Sequence, residues 1–159
     1  MIDILNIIIA DDNSILANMM KALIEKDERY KIVGIARNDD DEIKLIDDLR
    51  PDLVITDLRK DNKWTGLDII KRYQKKEYNI EFFIISGSTS NSIKQIEEMN
   101  IKYYLNKPYS DTELFKILDE IYKAKYPKAI MQIEKSLVDV SKKQSFFKRL
   151  IEKVRNKFL

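Results

Sequence analysis

Apolar residues along the first 126 positions alternate between short runs and helical repeats. The runs predict five β-strands, at Leu5–Ala10, Tyr30–Ala36, Asp52–Leu58, Ile80–Ser86 and Ile101–Leu105. Apolar side chains recurring every three or four residues predict the helices, at 14–26, Asn38–Leu49, Gly66–Lys76, 91–99 and after Ser110. This alternation predicts an α/β fold of the (βα)5 type, with a parallel five-stranded sheet covered by helices on both faces.

Local signals refine three of these helices. The stripe in the first helix consists of Ile15, Met19, Leu23 and Ile24. Asn38 is the predicted N-cap of the second helix, because its side chain can accept a hydrogen bond from an unpaired backbone N–H. Ser110 and Glu113 have the spacing of a capping box, which predicts the start of the fifth helix.

The last 33 residues differ from the rest in charge and pattern. Residues 1–126 carry 20 basic and 24 acidic side chains, whereas residues 127–159 carry 9 basic and 3 acidic ones. Apolar residues recur at helical spacing over 128–140, and Ser145 could cap a further helix with a stripe that ends at Phe158. We therefore predict a folded domain over 1–126 and a basic amphipathic helical extension over 127–159.

Three functions fit this extension. It can form a helical hairpin that docks on its own domain or pairs with a second chain. It can present a basic surface to a membrane or to another protein. It can bind nucleic acid without sequence specificity, although it is too short for an independent DNA-reading domain and lacks the glycine-containing turn of many helix-turn-helix pairs.

Composition excludes several kinds of chemistry. The chain contains no cysteine and no histidine, so disulfides, thiolate metal sites and histidine general bases are excluded. Any metal must be a hard cation with oxygen ligands. No apolar run approaches the ~18 residues of a membrane-spanning helix, and the N-terminus lacks the features of a signal peptide. A cytoplasmic location is therefore expected.

Polar side chains with complementary chemistry follow the predicted strands. In open α/β sheets, ligands bind beyond the carboxyl ends of the strands. Those ends carry Asp11 and Asp12, Asp57, Ser86 and Lys107. A carboxylate cluster without histidine suits Mg²⁺, and an ammonium and a hydroxyl can contact phosphoryl oxygens. Since an aspartate can act as a nucleophile, this set of residues is suited to phosphoryl transfer.

Four segments, IIIADD, PDLVITDL, FFIISG and YYLNKP, carry a family resemblance. In their order and spacing, residues 4–126 resemble the receiver domain of bacterial response regulators. The resemblance implies a doubly wound parallel sheet with strand order 2-1-3-4-5. One departure lies after Asp57, where the loop RKDNKWT is one residue longer than is usual in the family.

The resemblance also assigns roles in phosphorylation. It implies that Asp57 is the phosphoacceptor. Asp11 and Asp12 would hold Mg²⁺ together with Asp57 and the backbone carbonyl of Arg59. Lys107 would contact the phosphoryl group.

Two further residues would pass on the signal. Ser86 would be the switch hydroxyl, and Tyr104 the aromatic residue that turns inward on activation. The expected partner is a histidine kinase or a histidine phosphotransfer protein, and a homodimer is compatible with the family. The expected function is therefore that of a two-component response regulator and not of an enzyme, apart from its own Mg²⁺-dependent phosphorylation and dephosphorylation.

Two other functions remain open at this stage. A degenerate receiver would keep the fold and act as a constitutive interaction module. A Mg²⁺-dependent phosphatase would also use an aspartyl nucleophile, but such enzymes usually have a second aspartate two residues later. Arg59 occupies that position, which counts against a phosphatase.

Overall fold

The structure, a computed structural model, describes residues 3–58, 66–75, 78–87 and 90–158. Within these ranges five parallel strands form one sheet, in the order β2-β1-β3-β4-β5. The strands are β1 (Leu5–Ala10), β2 (Tyr30–Ala36), β3 (Leu53–Thr56), β4 (Glu81–Ser86) and β5 (Tyr103–Asn106). The predicted α/β class and strand order are confirmed.

Helices follow the strands and lie on both faces of the sheet. The helices of the βα units are α1 (Ser14–Ile24), α2 (Asp39–Leu49), α3 (Gly66–Gln74), α4 (Ser90–Glu98) and α5 (Asp111–Lys125). A further helix, α6 (Pro127–Phe158), follows them in the chain. The chain divides into two compact units, Met1–Ile121 and Tyr122–Leu159. The functional boundary between residues 126 and 127 stays a prediction. No helix in the described part of the chain is both long and apolar enough to cross a bilayer.

The central strands supply the core of the first unit. Ile7, Ile8 and Ile9 of β1 are almost completely buried, which explains why the strand is a continuous apolar run rather than an alternating one. On one face of the sheet, α3 packs its buried residues Ile70 and Tyr73 into the same apolar cluster as Ile8. This packing holds the carboxyl ends of the strands in fixed positions.

Side chains cap the helices close to the sheet edge. Asn38 accepts a hydrogen bond from the Asp41 N–H, so the predicted N-cap of α2 is confirmed. Ser110 and Glu113 form the predicted capping box, with hydrogen bonds in both directions. Asn13 caps α1 by accepting from two backbone N–H groups, a cap that the sequence pattern did not reveal.

Two details differ from the sequence pattern. In α1, Ile24 is buried, but Ile15 and Met19 are exposed while Met20 is buried, because the helix carries apolar residues on more than one face. β3 is shorter than the predicted Asp52–Leu58. The apolar run extends past the strand because Leu58 is fully buried although it lies beyond the last residue of β3. An apolar run therefore marks the length of the buried segment rather than that of the hydrogen-bonded strand.

The C-terminal extension is one continuous helix, α6, of 32 residues. The predicted hairpin is therefore wrong. Ser145 lies in the middle of the helix and does not start a new one. The physical reason is that no glycine or proline occurs between Lys128 and Phe158, so nothing in the sequence interrupts the helix.

Candidate functional site

The backbone brings the predicted site residues to one edge of the sheet. Strand pairing continues one residue past three strands. The Asp11 N–H donates to the carbonyl of Ala36, the Asp57 N–H to that of Ala10, and the Lys107 N–H to that of Ser86, at 3.0–3.1 Å. These bonds fix the residues that follow β1, β3 and β5 next to Ser86, the last residue of β4.

Asp57 lies at the centre of the resulting cluster. The ammonium Nζ of Lys107 is 2.8 Å from Oδ2 of Asp57 and 3.1 Å from Oδ2 of Asp11. The Ser86 hydroxyl donates to Oδ1 of Asp57 at 2.7 Å. Both carboxylate oxygens of Asp57 are therefore held, one by a cation and the other by a hydroxyl.

This cluster is largely shielded from water. The exposed fraction of the side chain is 7% for Asp11, 12% for Asp57 and 28% for Lys107. Burial alone would lower the pKa of Lys107, but the hydrogen bond and charge of Asp57, together with Asp11, outweigh it and raise the pKa above its usual value. Lys107 is therefore a positively charged ammonium at neutral pH.

The remaining predicted site residues lie around this cluster or outside the described residues. Asp12 is exposed and adjacent to Asp11. Tyr104 is half-buried, and its hydroxyl donates to Oδ1 of Asn106. Arg59 and the rest of the long loop, 59–65, lie outside the described residues, so the contribution of the Arg59 carbonyl stays a prediction.

The carboxylates beside Lys107 offer oxygen atoms of the kind that Mg²⁺ binds. Among the described residues, no three acidic side chains are close enough together to hold a metal as a group. Mg²⁺ usually needs only one or two carboxylates, with waters and phosphate oxygens completing its shell. Asp11 and Asp57 already converge on one cation, Lys107, and all of their donor atoms are oxygens. The residues present therefore fit Mg²⁺.

Two features near the site were not apparent from the sequence. Gly66, the first residue of α3, approaches the backbone so closely that a Cβ there would lie 3.0 Å from the Asp57 carbonyl oxygen. A groove of about 540 Å³ opens beside Asp11 and Lys107, between α1 and the segment after β5. Its apolar lining is Leu16, Met19, Met20, Leu23, Pro108 and Tyr109. Leu16, Met20 and Leu23 form a second apolar stripe on α1, and this stripe is the sequence signal that could have predicted the groove.

Comparison with known protein families identifies the class of protein that has this fold and this cluster of Asp57, Lys107 and Ser86. The model of the response regulator receiver domain matches residues 7–119, and the chain belongs to this family. It is therefore a receiver domain of the kind found in two-component signal transduction.

Curated relatives and solved structures agree with this assignment. The chain is 27% identical over 150 residues to the transcriptional regulatory protein YdfI of Bacillus subtilis, covering 92% of this chain and 70% of YdfI. It is 26% identical over 119 residues to the chemotaxis protein CheY of Thermotoga maritima, covering 74% of this chain and 97% of CheY. Another curated relative is much longer, and the chain spans only 32% of its length.

Among solved structures, a DNA-binding response regulator of the LuxR family from Staphylococcus aureus superposes with a TM-score of 0.68 at 26% identity. The match covers 75% of this chain and 99% of that one.

Proposed function

We propose that Asp57 accepts a phosphoryl group from a phosphohistidine of a histidine kinase or of a histidine phosphotransfer protein. The observation that carries the proposal is that Lys107 and Ser86 hold the two oxygens of the Asp57 carboxylate. In the reaction, an Asp57 oxygen forms a bond to phosphorus while the bond from phosphorus to the histidine nitrogen breaks. The electron pair of that bond stays on the imidazole, and the product is an acyl phosphate.

Charge neutralisation is the main contribution of the site. Mg²⁺ bound at Asp11, Asp12 and Asp57, with its own waters bridging to any of these carboxylates that it does not contact directly, would supply positive charge to the transferred phosphoryl oxygens. Lys107, which contacts Asp57 and Asp11, supplies a second positive charge. Once Asp57 is phosphorylated, its carboxylate charge is replaced by a nearly dianionic phosphoryl group, and the Lys107 ammonium shifts its contact to a phosphoryl oxygen.

The same change can be transmitted through Ser86. Its hydroxyl donates to Oδ1 of the Asp57 carboxylate. A phosphoryl oxygen is a stronger acceptor than the carboxylate, so Ser86 moves towards it, and Tyr104 turns into the space that this movement leaves. The surface formed by α4, β5 and α5 is thereby remodelled.

The groove beside Asp11 and Lys107 gives the phosphodonor protein a place to dock. Its lining is mostly apolar, and Met19 on its rim is exposed. An apolar helix face that carries a phosphohistidine can pack there and bring the phosphorus to Asp57.

We also propose that residues 1–126 act as the receiver, with residues 127–159 as a separate extension.

Intact mass measurement tests the central step. The chain is incubated with acetyl phosphate and Mg²⁺ beside two variants, Asp57→Asn and Asp68→Asn. Asp68 is a matched control because it is an exposed aspartate of α3. We expect one phosphoryl adduct on the wild type and on Asp68→Asn, none on Asp57→Asn, and none when EDTA is present.

The opposite outcomes are equally informative. An adduct on Asp57→Asn would place the phosphoacceptor elsewhere. No adduct on the wild type, with no binding of beryllofluoride either, would contradict the proposal and favour a degenerate receiver that acts as a constitutive interaction module. Continuous release of phosphate from phosphate esters would favour a phosphatase.

A further inference from the structure

Helix α6 carries exposed apolar side chains along its length. It runs from Pro127 to Phe158, which corresponds to roughly 48 Å at ~1.5 Å per residue. Every side chain of α6 that the structure describes is exposed. These include large apolar side chains that are 53–65% exposed, Leu137, Val140, Phe147 and Ile151.

One row of positions in α6 has the spacing of a coiled coil. From residue 130 to residue 158 its steps alternate strictly between three and four residues, and eight of its nine positions are apolar. The residues are Ile130, Ile133, Leu137, Val140, Gln144, Phe147, Ile151, Val154 and Phe158, of which Gln144 is the polar one. In heptad terms they occupy consecutive a and d positions, and they are called the α6 seam below. The apolar residues Met131, Val138, Phe146 and Leu150 lie outside this row.

Four of the nine basic residues of α6 lie on the side opposite the seam. Positions f of the successive heptads, which face away from the seam, are occupied by Lys128, Lys135, Lys142 and Arg149. A helix that pairs along its seam leaves these charges in water. Four others lie beside the seam at e and g positions, Lys143, Lys148, Arg155 and Lys157, and their repulsion opposes pairing at low salt.

The period of the seam distinguishes a partner helix from a flat surface. A strict seven-residue repeat drifts by ~20° per heptad around a straight α-helix, which amounts to about 80° over the four heptads of α6. A membrane surface cannot follow this rotation, whereas a second helix follows it by supercoiling.

We propose that α6 pairs with α6 of a second copy of this chain in a parallel, in-register, two-stranded coiled coil. Gln144 favours this arrangement over an antiparallel one. In the parallel pair, Gln144 meets its own counterpart, and the two amides can hydrogen-bond with each other. In an antiparallel pair, an a position faces a d position. Gln144 would then meet Val140 or Phe147 and lose a polar partner.

Salt dependence follows from the charges beside the seam. In the parallel pair, Lys143 at a g position faces Lys148 of the second copy at an e position. Salt screens this repulsion, so association is expected to strengthen as salt is added. Binding of α6 to nucleic acid or to an anionic membrane would instead weaken with salt.

Sedimentation equilibrium of the whole chain tests the pairing. Two double variants are compared, Leu137→Lys with Ile151→Lys in the seam, and Met131→Lys with Val138→Lys outside it. The second pair is a matched control because Met131 and Val138 are also apolar and exposed, at 57% and 51%. We expect a dimer for the wild type and the control, and a halved mass for the seam variant.

Cysteine cross-linking tests the orientation, because the chain has no cysteine of its own. Val140→Cys in the seam should form an interchain disulfide on mild oxidation, since a parallel in-register pair brings the two positions together. Val138→Cys, two residues away and outside the seam, should not. Equal cross-linking of both variants would overturn the parallel arrangement.

Three results would overturn the proposal. They are a wild-type mass that stays monomeric at high protein concentration, an equal loss of association in both double variants, and a trimer or tetramer in place of the dimer. Sedimentation with phosphatidylserine vesicles, abolished by salt, would assign α6 to membranes instead. In sedimentation equilibrium, Asp57→Asn should have the same dimer mass as the wild type, because the pairing does not require phosphorylation. A failure of the proposed phosphorylation and a failure of this pairing are therefore distinguishable.

Discussion

The Ser86 hydroxyl donates a hydrogen bond of 2.7 Å to Oδ1 of Asp57, from a residue 29 positions away in the chain. The bond exists because β3 and β4 are parallel neighbours, so their carboxyl ends meet. The Lys107 ammonium contacts the other carboxylate oxygen, Oδ2. A change in the charge of Asp57 would therefore act directly on the hydrogen bond from Ser86.

Replacing Ser86 by alanine should slow phosphorylation without abolishing it. Asp57 is retained, so one adduct still forms from acetyl phosphate. In the proposed reaction the Ser86 hydroxyl donates to an oxygen of the transferring phosphoryl group, and a hydrogen bond to a charged group contributes about 1.5 kcal/mol. Its loss from the transition state corresponds to a rate that is about tenfold lower. Time-resolved mass measurement provides the rate. Ser86→Thr keeps the hydroxyl and should recover most of it, whereas equal rates for all three proteins would show that the hydroxyl does not contribute.

Replacing Lys107 by methionine should destabilise the protein through its carboxylates. Asp11 and Asp57 are mostly buried and share this ammonium, so both lose their cation. We expect the free energy of unfolding in EDTA to fall by about 1–3 kcal/mol. Because Mg²⁺ can neutralise the same carboxylates, adding it should recover part of the loss, as measured by urea denaturation. An unchanged stability in EDTA would contradict the ion-pair arrangement.

Replacing Asp12 by alanine should separate metal binding from stability. Asp12 is exposed, whereas Asp11 is buried and also accepts a hydrogen bond from the Asn13 N–H. We therefore expect Asp12→Ala to change the free energy of unfolding by less than about 1 kcal/mol while weakening Mg²⁺ binding in calorimetry by about tenfold or more. Unchanged Mg²⁺ affinity would remove Asp12 from the metal site.

Gly66 and Gly87 form a matched pair of glycines close to the site. A Cβ at Gly66 would lie 3.0 Å from both the Asp57 carbonyl oxygen and the Leu58 Cα, whereas at Gly87 no described atom lies within 4 Å. Because backbone cannot move aside easily, Gly66→Ala should lower the free energy of unfolding by about 1–3 kcal/mol. Gly87→Ala should change it by less than about 0.5 kcal/mol. Equal effects in thermal denaturation would contradict this close approach.

The sequence predicted the fold and the central cluster because each chemical group directly follows an apolar run. Asp11, Asp57 and Lys107 could be placed at one sheet edge from strand order alone. The side-chain contacts could not be predicted, because Lys107 bridges Asp11 and Asp57 only when the four neighbouring strands β1, β3, β4 and β5 are packed together. The capping role predicted for Ser145 is wrong for a different reason. A serine can act as an N-cap only where a helix begins, and Ser145 lies in the middle of α6.

The alkaline stability of the protein should depend on Tyr73. Burial and the hydrogen bond to Asp47 raise the pKa of Tyr73 to about 12, from an ordinary value of 10.0. Between these pH values the folded chain binds more protons than the unfolded chain, so stability falls as pH rises. At pH 8, Tyr73→Phe should be less stable by about 1 kcal/mol, because it lacks this hydrogen bond.

This deficit of Tyr73→Phe should shrink as the pH rises from 10 to 12, because only the wild type loses the contribution of a neutral Tyr73 hydroxyl. Urea denaturation of both proteins across this range provides the measurement. Other groups titrate in both chains, among them Tyr30, whose pKa burial also raises. Their effect cancels in the difference, so a deficit that stays constant up to pH 12 would show that Tyr73 does not ionise in this window.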